Sequence, residues 1–80
     1  MKLPRDLSGQ RLADQLCKHW QYKRVHQVGS HIILETTEPT LHRVAIPAHA
    51  ALRVGTLNAI LRSVARHRGV TKDEILAHFM

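Results

Sequence analysis

The chain has 80 residues, a formal net charge of +6 and a hydrophobic fraction of 44%. This length suits a single domain, and the apolar content is that of a folded protein rather than a disordered one. Aromatic residues make up only 4% of the chain, which argues against binding of single strands by rows of stacked bases. The single cysteine, Cys17, excludes an internal disulfide and is expected to be a small core residue.

The sequence gives no sign of a membrane or secretion signal. No stretch contains the ~20 apolar residues that a membrane-spanning helix needs, and the N-terminus lacks the apolar run of a signal peptide. We therefore expect a cytoplasmic protein without a membrane partner. The excess of positive charge indicates a polyanionic partner, either a nucleic acid or an acidic protein.

The first predicted element is an amphipathic helix over residues 9–19. Ser8 is suited to cap this helix, and Leu7 can pack on Leu12 as a hydrophobic staple. Large apolar side chains recur every four residues and form one stripe that should face the core. These residues are Leu12, Leu16 and Trp20.

A β-hairpin is predicted next, with strands at 21–28 and 31–36 joined by a turn at Gly29-Ser30. Strand alternation places His31, Ile33 and Glu35 on one face, and the residues between them on the other. A third strand is predicted at 42–46, ending before Pro47, which cannot donate to a sheet.

Two helices complete the predicted order. The first opens at Gly55 after a loop and ends at Gly69, and the second, short and capped by Thr71 and Glu74, runs to about Phe79. The sequence therefore predicts one α+β domain over residues 1–80. Its order is α-β-β-β-α, with a three-stranded antiparallel sheet, helices on one face and a short C-terminal helix.

Three segments stand out in this order: Gly29-Ser30-His31 on the second strand, the strand end 44–49 with its proline and histidine, and the helix start 55–61 with Gly-Thr-Leu. Together they resemble the HicA toxins, a family of small bacterial mRNA interferases. The resemblance covers residues 12–76. It implies a double-stranded-RNA-binding-domain-like fold, cleavage of mRNA by His31, and neutralisation by a HicB-type antitoxin. The segment before Gly29 is slightly longer than is usual in the family, which predicts a β-bulge.

His31 is the candidate catalytic residue because histidine can exchange a proton near neutral pH. RNA carries its own nucleophile, the 2′-hydroxyl, so the protein need only move protons and stabilise the phosphate charge. Gly29 would let the backbone approach a phosphate, and Ser30 could donate a hydrogen bond. No metal or other cofactor is expected, since the histidines lack the short spacings of a zinc site.

A basic surface near His31 is expected to hold the RNA phosphates. Arg62, Arg66 and Arg68 lie on the long helix predicted to open at Gly55. They are instead assigned to a solvated face or to an interface with an acidic partner. His49 could line the RNA groove, or it could be an ordinary loop residue that forms a hydrogen bond before the second helix. The predicted RNA-binding residues are Lys23, Arg24, Gly29, Ser30, Arg43 and His49.

Other interpretations remain open on sequence grounds. His31 could be an ordinary surface residue at the edge of a hairpin. The chain could be a non-catalytic double-stranded RNA-binding domain, although residues 55–58 lack the lysine cluster that such domains present at the start of the last helix. It could also be a module that binds only an acidic protein.

Overall fold

The computed structural model describes residues 6–77, which form one three-stranded antiparallel sheet and three helices. The strand order in the sheet is β1-β2-β3. The predicted α+β architecture and its α-β-β-β-α order, with an added C-terminal helix, are confirmed. The elements are α1 (Gly9–His19), β1 (Lys23–Val28), β2 (His31–Thr36), β3 (His42–Pro47), α2 (Val54–Arg68) and α3 (Lys72–Leu76).

The predicted boundaries of α1 and β2 are confirmed, and the other boundaries differ by a few residues. The strand β1 begins two residues late because the chain is still turning out of α1: Gln21 has φ +58°, and the amide of Tyr22 donates to the Leu16 carbonyl. The strand β3 includes Pro47, which is tolerated because β3 lies at an edge of the sheet. The helix α2 begins at Val54 rather than Gly55.

The helix ends follow the predicted capping residues. The Ser8 side chain accepts a hydrogen bond from the Arg11 amide at 3.0 Å, and Gly69 ends α2 with φ +69°. Thr71 and Glu74 form the predicted capping box of α3. That helix ends at Leu76, earlier than expected, and Phe79 lies outside the described residues.

The core lies between one face of the sheet and the helices. Along β2 the burial alternates as predicted, with Ile32, Leu34 and Thr36 buried. Two residues expected in the core, Cys17 and Trp20, are only partly buried and pack against its margin. Among residues 6–77 no helix covers the opposite face of the sheet, which is called the open face below. Its rows are Lys23–Glu35–Arg43, His26–Ile33–Ala45 and Val28–His31–Pro47.

The predicted bulge lies at Val25. Pairing of β1 with β2 shifts between Arg24, which is opposite Leu34, and His26, which is opposite Ile33. Because Leu34 is buried beneath the helices, Arg24 points to the helix side of the sheet. Strand alternation alone places Lys23 and Arg24 on opposite sides of the sheet, and the bulge puts His26, two residues after Arg24, on the open face with Lys23.

Candidate functional site

His31 lies exposed at one end of the open face. It is the first residue of β2, directly opposite Val28 on one side and Pro47 on the other. The preceding turn depends on Gly29, which has φ +57° and open space where a side chain would be. Within residues 6–77 the structure records no hydrogen bond or ion pair to the His31 ring. Its nitrogens can therefore take part in proton transfer with a bound molecule.

The loop after β3 meets the β1–β2 turn at the same end of the sheet. The amide of Ala48 donates to the Ser30 carbonyl at 2.6 Å, which extends the β2–β3 ladder by one more pair. His49 follows directly and is exposed. This arrangement brings together four predicted site residues, namely Gly29, Ser30, His31 and His49.

The start of α1 holds this loop in place. The Gly9 amide donates to the His49 carbonyl at 3.0 Å, and the Leu52 amide donates to the Leu7 carbonyl at 2.8 Å. A Cβ on Gly9 would lie 1.8 Å from the Pro47 carbonyl oxygen, so only glycine fits this contact. The helix therefore positions the backbone that carries His49.

The predicted phosphate-binding cations fall on two sides of the sheet. Lys23 and Arg43 flank Glu35 on the open face, and Arg43 Nε donates to Glu35 Oε2 at 2.6 Å. This row is four residues from His31 along β2, or about 13 Å. Arg24 is instead tied to α1, through a 2.9 Å hydrogen bond to Gln10 and an ion pair with Asp14. The structure thus places Lys23 and Arg43 on the face of His31 and separates Arg24 from them.

Between these two ends the open face has an apolar surface. Val25 and Val28 are 44% and 57% exposed, which is unusual for strand residues of their type. They border a shallow groove of about 650 Å³. The groove is lined by Val25, His26, Val28, Ile33, Arg43, Val44 and Ala45.

A second cluster of polar side chains, which the sequence did not reveal, lies where β3 faces α2. The Tyr22 hydroxyl is 2.8 Å from His42 Nδ1, and His42 Nε2 is 3.2 Å from Ser63 Oγ. His67 stacks on His42 with ring centroids 4.3 Å apart, and its Nε2 lies 3.0 Å from the Thr40 carbonyl. The residues of this cluster lie up to 45 positions apart in the chain, so no local spacing in the sequence predicts it. The only sequence signal is the placement of Ser63 and His67 one turn apart on α2.

Burial determines the protonation of this cluster. Loss of solvent raises the pKa of Tyr22 to about 12, although Arg68 opposes the shift, so its hydroxyl keeps its proton. Loss of solvent, and to a smaller extent His67, lowers the pKa of His42. We therefore assign Tyr22 as donor to Nδ1 of neutral His42, which in turn donates from Nε2 to Ser63.

The described residues contain no group of three or more histidine, cysteine, aspartate or glutamate side chains that could hold a metal ion. Within the same residues, no helix is long and apolar enough to cross a membrane. Comparisons with family models, with curated proteins and with solved structures found no match to this chain.

Proposed function

We propose that this protein is an endoribonuclease of the HicA toxin type, which cleaves mRNA with His31 as its acid–base catalyst and without a metal. The observation that carries the proposal is the exposed His31 ring at the end of the open face, beside the Gly29-Ser30 turn and the loop of His49. The net charge of +6 favours association of the protein with a polyanion such as RNA.

The reaction needs little more than a proton acceptor and donors to the phosphate. Neutral His31 removes the proton of a ribose 2′-hydroxyl, and the 2′-oxygen attacks the adjacent phosphorus. The bond from phosphorus to the 5′-oxygen breaks, leaving a 2′,3′-cyclic phosphate. Protonated His31 then returns its proton to the leaving 5′-oxygen. A positioned general base contributes roughly 10²- to 10⁴-fold to such a step.

The other residues of the site bind RNA rather than react. In the proposal, Ser30 and His49 donate hydrogen bonds to the RNA backbone next to the cleaved bond. Lys23 and Arg43 attract phosphates about 13 Å away along the strand. This distance is about twice the spacing of successive phosphates, so the protein would contact a short stretch of one strand.

Replacement of His31 tests the proposal. We expect His31→Ala to lower the rate of RNA cleavage by purified protein by at least about 100-fold, because the general base is lost. The matched control is His26→Ala, which removes an exposed histidine from the same face and should retain most of the activity. Growth inhibition on expression should follow the same pattern. Equal cleavage by the His31→Ala and parent proteins would disprove the catalytic role.

A non-catalytic double-stranded RNA binder is the second candidate. One observation favours it: Arg53, at the N-cap of α2, is exposed, and places a cation where such domains contact phosphates. Incubation of RNA with the parent protein in EDTA separates the two functions. Intact RNA with retarded mobility supports binding alone, whereas fragments that disappear with His31→Ala support cleavage.

The proposal includes a protein partner. A HicB-type antitoxin in the cytoplasm would cover His31 and present acidic groups to the surrounding positive charge. Mixing with such an antitoxin should stop cleavage and protect the amides of Ser30 and His31 from hydrogen exchange. Inhibition without protection at this end of the sheet would place the antitoxin elsewhere.

A further inference from the structure

A groove on the helix side of the molecule has the features of an anion site, and the proposed cleavage reaction does not use it. It lies between the start of β3 and the middle of α2 and has a volume of about 520 Å³, within the size range of ligand pockets. Of the residues that the structure describes, no acidic one lines it. The lining residues are His42, Ala59, Arg62, Ser63, Arg66 and His67.

The two arginines of this groove are not neutralised within the described residues. Arg62 and Arg66 stand one turn apart on α2, are exposed, and have no ion pair or side-chain hydrogen bond among residues 6–77. Arg68 of the same helix differs, since it donates to the Glu38 carbonyl at 2.6 Å and to Gln21 Oε1 at 2.7 Å. From the sequence, Arg62, Arg66 and Arg68 are all expected on one solvated or partner-binding face. The structure gives Arg68 a structural role and leaves the other pair facing the groove.

The floor of the groove is held rigid by the cluster of Tyr22, His42 and Ser63. Because His42 donates to Ser63 Oγ in the assigned tautomer, the Ser63 hydroxyl keeps its own proton to donate. His67 is fixed by stacking on His42 and by its bond to the Thr40 carbonyl. Donors that are already positioned lose little conformational entropy when an anion binds.

We propose that this groove binds a phosphate group, with Arg62 and Arg66 as its principal ligands and Ser63 as a further donor. Guanidinium groups bind phosphate oxygens through paired, charge-assisted hydrogen bonds. A tetrahedral anion accepts from several directions, which suits donors from two turns of a helix and the adjoining strand. The phosphate belongs either to a small molecule, such as a nucleoside monophosphate, or to an RNA backbone.

The test compares two double variants that remove the same charge. Arg62→Gln/Arg66→Gln removes the proposed ligands, whereas Arg11→Gln/Lys18→Gln removes two exposed cations of α1. Amide chemical shifts of the parent protein are followed while inorganic phosphate or a nucleoside 5′-monophosphate is added. We expect shifts at residues 59–67 and an affinity about tenfold weaker in the α2 variant, but unchanged in the α1 variant.

An RNA arm identifies the source of the phosphate. Both double variants are placed in the His31→Ala protein so that the RNA stays intact, and affinity is measured against salt. If the slope of log K against log salt concentration decreases by about 1 to 2 in the α2 variant alone, the groove binds an RNA phosphate. If the α2 variant loses affinity only for inorganic phosphate and the nucleoside monophosphate, the groove binds a small molecule.

The proposal is overturned if no phosphate source binds, if both double variants weaken binding equally, or if polyglutamate shifts residues 59–67 as strongly as phosphate does. The small-anion arm involves no RNA cleavage, so its result is independent of the role of His31.

Discussion

At the scale of single residues, Gly9 lies so close to the Pro47 carbonyl that no side chain fits between them. The backbone of α1 approaches the end of β3 so closely that a methyl group cannot fit, and the obstacle is a backbone carbonyl rather than a flexible side chain. This contact joins the first helix to the loop that carries His49. Gly9, at the start of α1, thereby supports the loop that brings His49 to the candidate site.

We expect Gly9→Ala to lower the free energy of unfolding by about 2 to 3 kcal/mol, because the added Cβ forces the helix and the loop apart. Gly55→Ala is the control, since a Cβ there meets no atom within 4 Å and alanine should stabilise α2 by up to about 1 kcal/mol. Urea unfolding followed by circular dichroism measures both. A Gly9→Ala protein as stable as the parent would contradict the steric argument.

His42 is the residue through which pH should act on stability. Its pKa is lowered in the folded protein by burial and by His67, so the unfolded chain binds a proton that the folded chain does not. The lowered pKa of His42 therefore has no effect on the free energy of unfolding well above pH 6.5, the pKa of histidine in the unfolded chain. As the pH decreases below that value, it lowers the free energy of unfolding. Unfolding curves between pH 7.5 and 5 should show this decrease, and His42→Asn should reduce its slope. An identical pH dependence in the variant would argue against the assignment.

At the scale of elements, the bulge in β1 inserts Val25 without changing which of the other side chains share the open face. Without Val25, residues 24 and 26 would alternate as in a regular strand, with the same partners on β2. The extra residue is thus accommodated locally, without moving the turn at Gly29. It also adds an exposed apolar side chain to the open face.

Deletion of Val25 should therefore preserve the fold, with a change in unfolding free energy within about 1 kcal/mol. Deletion of Ile33 from β2 is the matched control. It shifts the register by one residue and turns buried Leu34 toward solvent, so the protein should not fold cooperatively. Thermal melts and amide spectra compare the two. Loss of folding in the Val25 deletion would show that the bulge is needed for the sheet.

At the scale of the whole molecule, some of the cationic side chains form contacts that hold the fold together, and others face surfaces where a partner could bind. Arg24 forms an ion pair with α1, and Arg68 ties α2 to the loops at its C-terminal end. Lys23 faces the open side, and Arg62 and Arg66 face a groove on the opposite side of the domain. Neighbouring cations in the sequence consequently differ in what they can bind.

The pair Lys23 and Arg24 provides a test of this division. We expect Lys23→Gln to weaken RNA binding and to reduce the salt dependence of log K by about 1, as for one lost phosphate contact. Arg24→Gln should leave that slope unchanged and cost at most about 1 kcal/mol of stability, because its ion pair is solvent-exposed. Filter binding of RNA at several salt concentrations measures the slope. Equal slopes for the two variants would mean that both cations, or neither, contact the RNA.

Local patterns in the sequence determined the elements of this protein, because capping residues, apolar periodicity and turn glycines act over a few neighbouring positions. They predicted the three strands, the capping of α1 and α3, the buried face of β2 and the exposed end where His31 stands. Strand alternation already separates Arg24 from Lys23, but only the tertiary structure decided that Arg24 pairs with α1 and that Arg62 and Arg66 line a groove. It alone assembled Tyr22, His42 and Ser63, and pressed Gly9 against Pro47. These contacts join residues far apart in the chain, and packing of the helices on the sheet brings them together.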